Sequence, residues 1–185
     1  MNKILKQERK IAIRCLTRRE KGYGNIKRCL TIADSLKKKK YKIIFIVDQN
    51  KEVIKELTKK KYNFYLIPKN SKTISDAKKT VKLLEKHKIS TLIIDMREYG
   101  EYLSKFFFDY KYKIIQIDDI WSENVYADIL INATNIKKSF DYNKINPNSK
   151  LFLGNKYWIA NSEFVKNRKK ISDIKPKKTY KIKLG

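Results

Sequence analysis

The stretch Ile11–Ala33, IAIRCLTRREKGYGNIKRCLTIA, decides the fold class, because it reads as a buried strand, a glycine-bearing loop and a helix in immediate succession. Ile11 and Ile13 belong to an apolar run that stops at Thr17. Gly22 and Gly24 bracket Tyr23, where the backbone is expected to turn tightly or to approach something closely. A helix is expected from Asn25, with Ile26, Cys29, Leu30 and Ala33 at the i, i+3, i+4, i+7 spacing of one buried face. Asn is a favoured N-cap, and the free N–H groups of a first helical turn suit an anion or a polar sugar. A plain strand-to-helix turn without a ligand fits the same residues. Position 27 is Lys27, so the dinucleotide fingerprint is not met, and a lone Gly-x-Gly is a weak motif.

Outward from this unit the chain alternates. Strands are expected at Tyr41–Val47, Tyr62–Ile67, Thr91–Asp95, Lys113–Asp118 and Asp128–Asn132. Helices are expected at Asn50–Lys60 with Val53, Ile54 and Leu57 inward, at Ile74–His87 with Ala77, Val81 and Leu84 in line, and at Glu98–Asp109. Strands alternating with helices imply an α/β fold, a doubly wound parallel sheet. Beyond Asn135 the pattern loosens, then regains a short strand at Leu151–Leu153 and a helix around Glu163–Lys169. A hydrophilic linker centred on Pro176 follows, and Thr179–Gly185 reads as the opening strand of a unit that does not continue. The expected organisation is therefore a Rossmann-like lobe over residues 1–170, with 171–185 as linker and first strand of a second lobe.

Composition bounds the function classes. A chain of 185 residues suits one core, and 42% hydrophobic with 35% charged residues is globular composition. No apolar run approaches the roughly 18 to 20 residues of a membrane span, and MNKILKQERK has no apolar core of a signal peptide, so a cytoplasmic location is expected. Cys15 and Cys29 lack zinc-ligand spacing and are expected as reduced core residues. The net charge of +26 invites nucleic acid, but it comes from 38 Lys against 7 Arg spread over nearly every helix. Together with 26 Ile and 14 Asn this is the composition an A/T-rich genome favours, and no grouped arginine forks or exposed aromatics accompany it. Nucleic acid is therefore not the expected partner.

In an open parallel sheet, ligands bind outside the carboxyl ends of the strands. The residues just past those ends are Thr17 and Arg18, Asp48, Asp95, Asp118 and Asp119, and Asn132. Singly, Asp48, Asp95 and Asp119 read equally well as caps of the helices that follow. As a set they read as a polar cleft. His87, the only histidine, ends a helix where a cation is welcome, and a surface role is expected of it. Phe106, Phe107 and Phe108 read as core. Nothing in the carboxylate spacing asks for a metal, and no cofactor is expected.

The series GYGNIKRCLTIA, TLIID, IDD, ADILIN and LFLGNKYWIANSEF, in order from about Ile11 to Phe164, resembles the UDP-sugar hydrolases of pseudaminic acid biosynthesis and the related spore-coat polysaccharide proteins. The resemblance implies the N-terminal, sugar-side lobe of the two-lobed glycosyltransferase-B fold, with a nucleotide sugar as substrate and the uridine diphosphate held mainly by a C-terminal lobe expected to begin near Tyr180; the chain then reads as a fragment of a longer gene product, as one half of a split gene whose partner supplies the C-terminal lobe in trans, or as a decayed copy. It also implies substrate contacts from Arg14, Gly22, Tyr23, Gly24, Arg28, Asp95, Asp118, Asp119 and Asn132. Asn25 stands at the family's catalytic histidine position, Leu16 at its aspartate and Asn161 at a later arginine, whereas Glu163 and Phe164 are kept. In the family that histidine is taken to help water attack the anomeric carbon, and Asn cannot accept a proton near neutral pH. Two functions follow: a UDP-sugar hydrolase of reduced activity, or a non-catalytic sugar-nucleotide-binding or scaffolding lobe that works with a partner chain.

Overall fold

The computed structural model describes residues 9–17, 23–68, 73–96, 100–119, 125–134 and 148–160. Within them, seven strands form one sheet: β1 (Lys10–Cys15), β2 (Lys42–Asp48), β3 (Asn63–Ile67), β4 (Thr91–Asp95), β5 (Lys113–Ile117), β6 (Ile129–Asn132) and β7 (Lys150–Leu153). The helices are α1 (Gly24–Lys38), α2 (Lys51–Lys59), α3 (Thr73–Lys86) and α4 (Gly100–Asp109). Every pairing is parallel and the strand order is β3-β2-β1-β4-β5-β6-β7, so the order reverses between β1 and β4. This is the doubly wound, Rossmann-like architecture expected. Each strand lies within one residue of its expected bounds. The predicted helix at Glu163–Lys169 and the terminal strand at Thr179–Gly185 lie outside the described residues.

The strands are nearly unbroken apolar runs because both faces of the sheet are covered. Successive side chains alternate between the faces. Ile11, Ile13, Cys15, Phe45 and Val47 pack with Ile26, Cys29, Leu30 and Ala33 of α1 and with Val53 and Leu57 of α2. Ala12, Leu16, Ile44, Ile46, Leu92 and Ile94 pack on the other side with Ala77, Val81 and Leu84 of α3 and with Leu103 and Phe107 of α4. Phe107 is fully buried and Phe108 is 40% exposed, so only part of the aromatic triplet is core.

All four helices end in the same way. Lys40, Lys61, Lys88 and Lys111 each lie two residues past a helix, with φ of 63°, 56°, 53° and 59°. The next residue donates its N–H back to a carbonyl five positions earlier, Tyr41 to Leu36, Tyr62 to Leu57, Ile89 to Leu84 and Tyr112 to Phe107, at 3.1, 3.0, 2.9 and 3.2 Å. This is the Schellman stop, with a lysine where glycine is usual. The apolar pair that accompanies it is present each time, for the two residues of each pair share one core cluster. These four stops feed the N-terminal ends of the strands. The opposite edge, past Thr17, Asp48, Asp95, Asp118 and Asn132, is left for the site.

Candidate functional site

Two polar systems occupy that edge, one on each face of the sheet. Arg14 is the central residue of the first. It shares a row with Ile46 and Ile94 on the α3 side and is fully buried. Its Nη2 donates to Asp48 Oδ1 at 2.9 Å, and its Nε donates to Asp76 Oδ1 at 3.0 Å from the first turn of α3. Burial works against this charge, but the hydrogen bonds that Arg14 donates to Asp76 and the charges of Asp48 and Asp76 outweigh it and hold the guanidinium above its usual range. Asp48 Oδ2 also accepts the Thr17 N–H at 3.0 Å. Asp48 therefore is no helix cap: α2 is capped by Asn50, whose Oδ1 accepts from Glu52 and Val53 and whose Nδ2 donates to Thr17 O at 2.7 Å. The expectation that Arg14 touches substrate meets a side chain sealed under the rim, where it fixes the exits of β1 and β2.

The second system centres on Asp95, which sits opposite Cys15 in the β1–β4 register and faces α1. Its Oδ1 accepts Asn25 Nδ2 at 3.0 Å and Arg28 Nη2 at 2.6 Å, and its Oδ2 accepts Arg28 Nε at 2.8 Å and the Cys29 thiol at 3.4 Å. Four donors fill what a carboxylate can accept. Burial pushes the Asp95 carboxyl up, and Arg28 pulls it back only in part. Burial likewise disfavours the Arg28 charge, yet Asp95 and Asp119 outweigh it and raise the guanidinium. Arg28 reaches on through Nη1 to Asp119 Oδ2 at 3.2 Å. Asp95 is thus an anchor that aims Asn25 and Arg28, with only 1% of its side chain exposed, against 22% for Arg28 and 16% for Asp119.

Asn25 is not the N-cap of α1. The helix starts one residue earlier, Tyr23 holds the cap position without a side-chain hydrogen bond, and the Asn25 amide turns to Asp95 because that buried acceptor is the stronger partner. Gly24 is helical, and a Cβ there would meet nothing within 4 Å, so the tight approach expected of the glycines is not found at this one. Tyr23 packs half-buried against the α1-side core. Gly22, Arg18, Asn161, Glu163 and Phe164 lie outside the described residues. Cys15 and Cys29 are free and fully buried, as expected, and burial raises both thiols. His87 is half-buried, its ring 4.9 Å from that of Tyr65, and its buried Nε2 meets no hydrogen-bond partner among the described residues.

Past β5 and β6 a cleft of about 540 Å³ opens on the α1 side. Ile117, Ile131 and Ile159 give it apolar walls, and Arg28, Asp118, Asp119, Thr134, Asn155 and Trp158 give it a polar and aromatic rim. Asp118 Oδ2 is joined by Asn132 Nδ2 at 3.4 Å, while Asn132 Oδ1 accepts Thr134 N at 2.9 Å and Thr134 Oγ1 at 2.6 Å. Gly154, with φ 92°, turns the chain out of β7 into a short helical turn (Asn155–Tyr157) and delivers Trp158 to the cleft, 75% exposed. Of the expected residues, Arg28, Asp118 and Asp119 line this cleft directly, Asn25, Asp95 and Asn132 support it from behind, and Arg14 serves the opposite face. Trp158, Thr134 and Asn155 were not anticipated, although a Trp just past a strand end on the ligand-binding edge is a readable signal. Among the described residues no group of carboxylates, thiols or imidazoles is arranged to hold a metal ion, and no helix is long and apolar enough to cross a membrane.

Comparison with protein-family models and with curated proteins finds no match. Among solved structures, MurG of Acinetobacter baumannii, a glycosyltransferase-B protein, superposes with a TM-score of 0.56 at 8% identity, over 72% of this chain and 43% of that one. The chain thus spans less than half the length of that structure. The fold is that of the N-terminal, Rossmann-like lobe of a glycosyltransferase-B protein.

Proposed function

We propose that this chain is the sugar-side lobe of a nucleotide-sugar-processing protein, of the kind its sequence resembles among the UDP-sugar hydrolases of pseudaminic acid and spore-coat polysaccharide synthesis. The observation that carries the reading is the cleft past β5 and β6, where the Asp95–Arg28–Asp119 chain of ion pairs presents carboxylate and guanidinium groups at the ligand edge of this fold. Asp118, Asp119 and Arg28, supported from behind by Asn132, would hold the sugar, and Asn25 would accept a hydroxyl or position a water through its amide oxygen. A partner lobe in trans, or residues 171–185 leading into one, would bring the uridine diphosphate.

A second reading is favoured by one contact. The Asn25 amide donates to both the backbone oxygen and Oδ1 of Asp95, at 3.1 and 3.0 Å, which is a structural use of the family's catalytic position and suits a binding or scaffolding lobe. The test is UDP release from a UDP-linked diacetamido sugar by the full chain, with the C-terminal lobe of a related hydrolase added. The Asn25→His variant supplies the missing proton acceptor. Loss or gain of one acid–base group is worth about a hundredfold to ten-thousandfold in rate, and the gain should follow a pH profile with an inflection near the roughly 6.5 of a free imidazole. A folded Asn25→His chain that binds the nucleotide sugar but releases no more UDP than the parent leaves the binding-lobe reading standing. Absence of any binding removes both.

A further inference from the structure

We propose that the outer face of α4 is the contact surface for a second copy of this chain, the two helices packing antiparallel about a two-fold axis beside Phe106. This face lies on the other side of the sheet from the cleft, and its role is independent of the nucleotide-sugar reading. The exposed positions set α4 apart. On α2 they are Lys51, Glu52, Lys55 and Lys59 with Thr58, and on α3 mostly Lys78, Lys79, Lys82 and Lys86, as a net charge of +26 leads one to expect. On α4 and the residue that follows it, Tyr102, Phe108 and Tyr110 are 44%, 40% and 55% exposed, and among the described residues only Lys105 and Asp109 add charge. Scattered exposed apolar residues are ordinary, but three aromatics on one short helix of a chain otherwise covered in lysine mark a contact surface.

Charge selects the occupant. A partner that is itself strongly cationic is repelled by every face that presents lysines, whereas the exposed charges of α4 are one Lys and one Asp. An acidic partner would favour the lysine faces of α2 and α3 over this one. The order of residues is also self-complementary. Tyr102, Phe106 and Tyr110 form one i, i+4 row, with the Phe106 and Tyr110 rings 4.8 Å apart and Phe106 half-buried against the core on the α3 side. Lys105 and Asp109 form the adjoining row, joined by an ion pair at 3.5 Å and both more than half exposed. Such rows are the ridges that interdigitate when two helices pack. In a two-fold contact, residue i meets j and j meets i. An axis beside Phe106 brings Tyr102 to Tyr110 of the second copy, and leaves Lys105 and Asp109 within reach of Asp109 and Lys105 of that copy. Surface ion pairs are worth little, so they set the register while the aromatic rows supply the contact. Ten helical residues make a patch about 15 Å long, smaller than a standard interface, so the expected dimer is weak, with Kd on the order of 100 µM.

The test is sedimentation equilibrium of the full chain over a concentration series, at low salt and in roughly 0.3 M NaCl, where screening relieves the repulsion between two cationic copies. A monomer–dimer equilibrium that tightens with salt is expected. Tyr102→Lys/Tyr110→Lys should stay monomeric with an unchanged far-UV spectrum. Lys105→Asp and Asp109→Lys, at exposed positions the fold does not depend on, should each weaken self-association about tenfold, since each sets like charges opposite one another twice. Mixed together, the two single variants should associate with at least the affinity of the parent, and Lys105→Asp/Asp109→Lys in one chain should recover it as well. The α4 dimer is overturned if the parent stays monomeric up to roughly 0.5 mM, well above the Kd expected of so small a patch. It is overturned equally if the dimer survives Tyr102→Lys/Tyr110→Lys, if the two charge variants dimerise as well as the parent alone, or if they fail to recover on mixing. A monomer in which Tyr102→Lys/Tyr110→Lys lowers Tm would show that another segment of the same chain covers this face, and that result also overturns it.

Discussion

Replacing the four left-handed lysines by glycine should stabilise this chain without touching its site. An L-residue held near φ of 53° to 63°, as Lys40, Lys61, Lys88 and Lys111 are, carries about 1–2 kcal/mol of strain that glycine does not. Two costs offset the gain. Glycine adds about 0.4–1 kcal/mol of freedom to the unfolded chain. The lost ammonium also gives up a few tenths of a kcal/mol of attraction to the helix C-terminus, on the order of 0.3. The balance is about 0.5 kcal/mol per site. The four stops lie in separate loops with no shared hydrogen-bond partner, so the quadruple variant should gain about 2 kcal/mol, or roughly 4–8 °C in Tm. Urea and thermal unfolding followed by circular dichroism measure this directly. Gly154→Ala is the matched opposite, since φ 92° there suits glycine, and it should destabilise. All four lysines precede strands and lie at the edge away from the cleft, so ligand binding by the quadruple variant should equal that of the parent. The reasoning is refuted if the quadruple variant is no more stable than the parent, because the strain would then not reside at these four positions.

Arg14→Met should cost about 3–5 kcal/mol, because it strands the Asp48 and Asp76 carboxylates in the core, whereas Arg14→Met/Asp48→Asn/Asp76→Leu should recover most of that loss; equal urea midpoints for the single and triple variants would show that the ion pairs do not hold the β1 and β2 exits. Cys15 and Cys29 should resist a thiol reagent in the native chain and react on unfolding, and fast native labelling of both would contradict their burial. Because burial raises both thiols, their contribution is fully present below the unfolded thiol pKa of about 8.5 and is lost as pH rises through the higher folded values. The urea midpoint should therefore fall between about pH 8 and pH 10 in the parent, and fall less in Cys15→Ala/Cys29→Ala.

What the sequence disclosed and what it withheld divide along a physical line. The strands were legible because a doubly covered parallel strand must be apolar along its length, and KIIFIVD or TLIID permits little else. The inward face of α1 was legible for the same reason, since the spacing of Ile26, Cys29, Leu30 and Ala33 is fixed by helix geometry alone. The helix stops were harder: a C-terminal signal is sought in glycine or asparagine, and here LKKKKY, LTKKKY, LEKHKI and FFDYKY place lysine at the left-handed residue. Their common feature is the apolar residue on either side of the turn, which a search for glycine passes over. Least legible were the partnerships at the site. Local chemistry makes Asn25 a helix cap, but a buried carboxylate 70 residues away competes for the same amide and wins. Arg14 looks like a ligand-binding residue at a strand end until Asp76, 62 residues on, closes over it. Sequence position told which residues reach the ligand edge, and only the reversal of strand order between β1 and β4 decides which of those carboxylates is buried against α1, as Asp95 is, and which line the cleft, as Asp118 and Asp119 do.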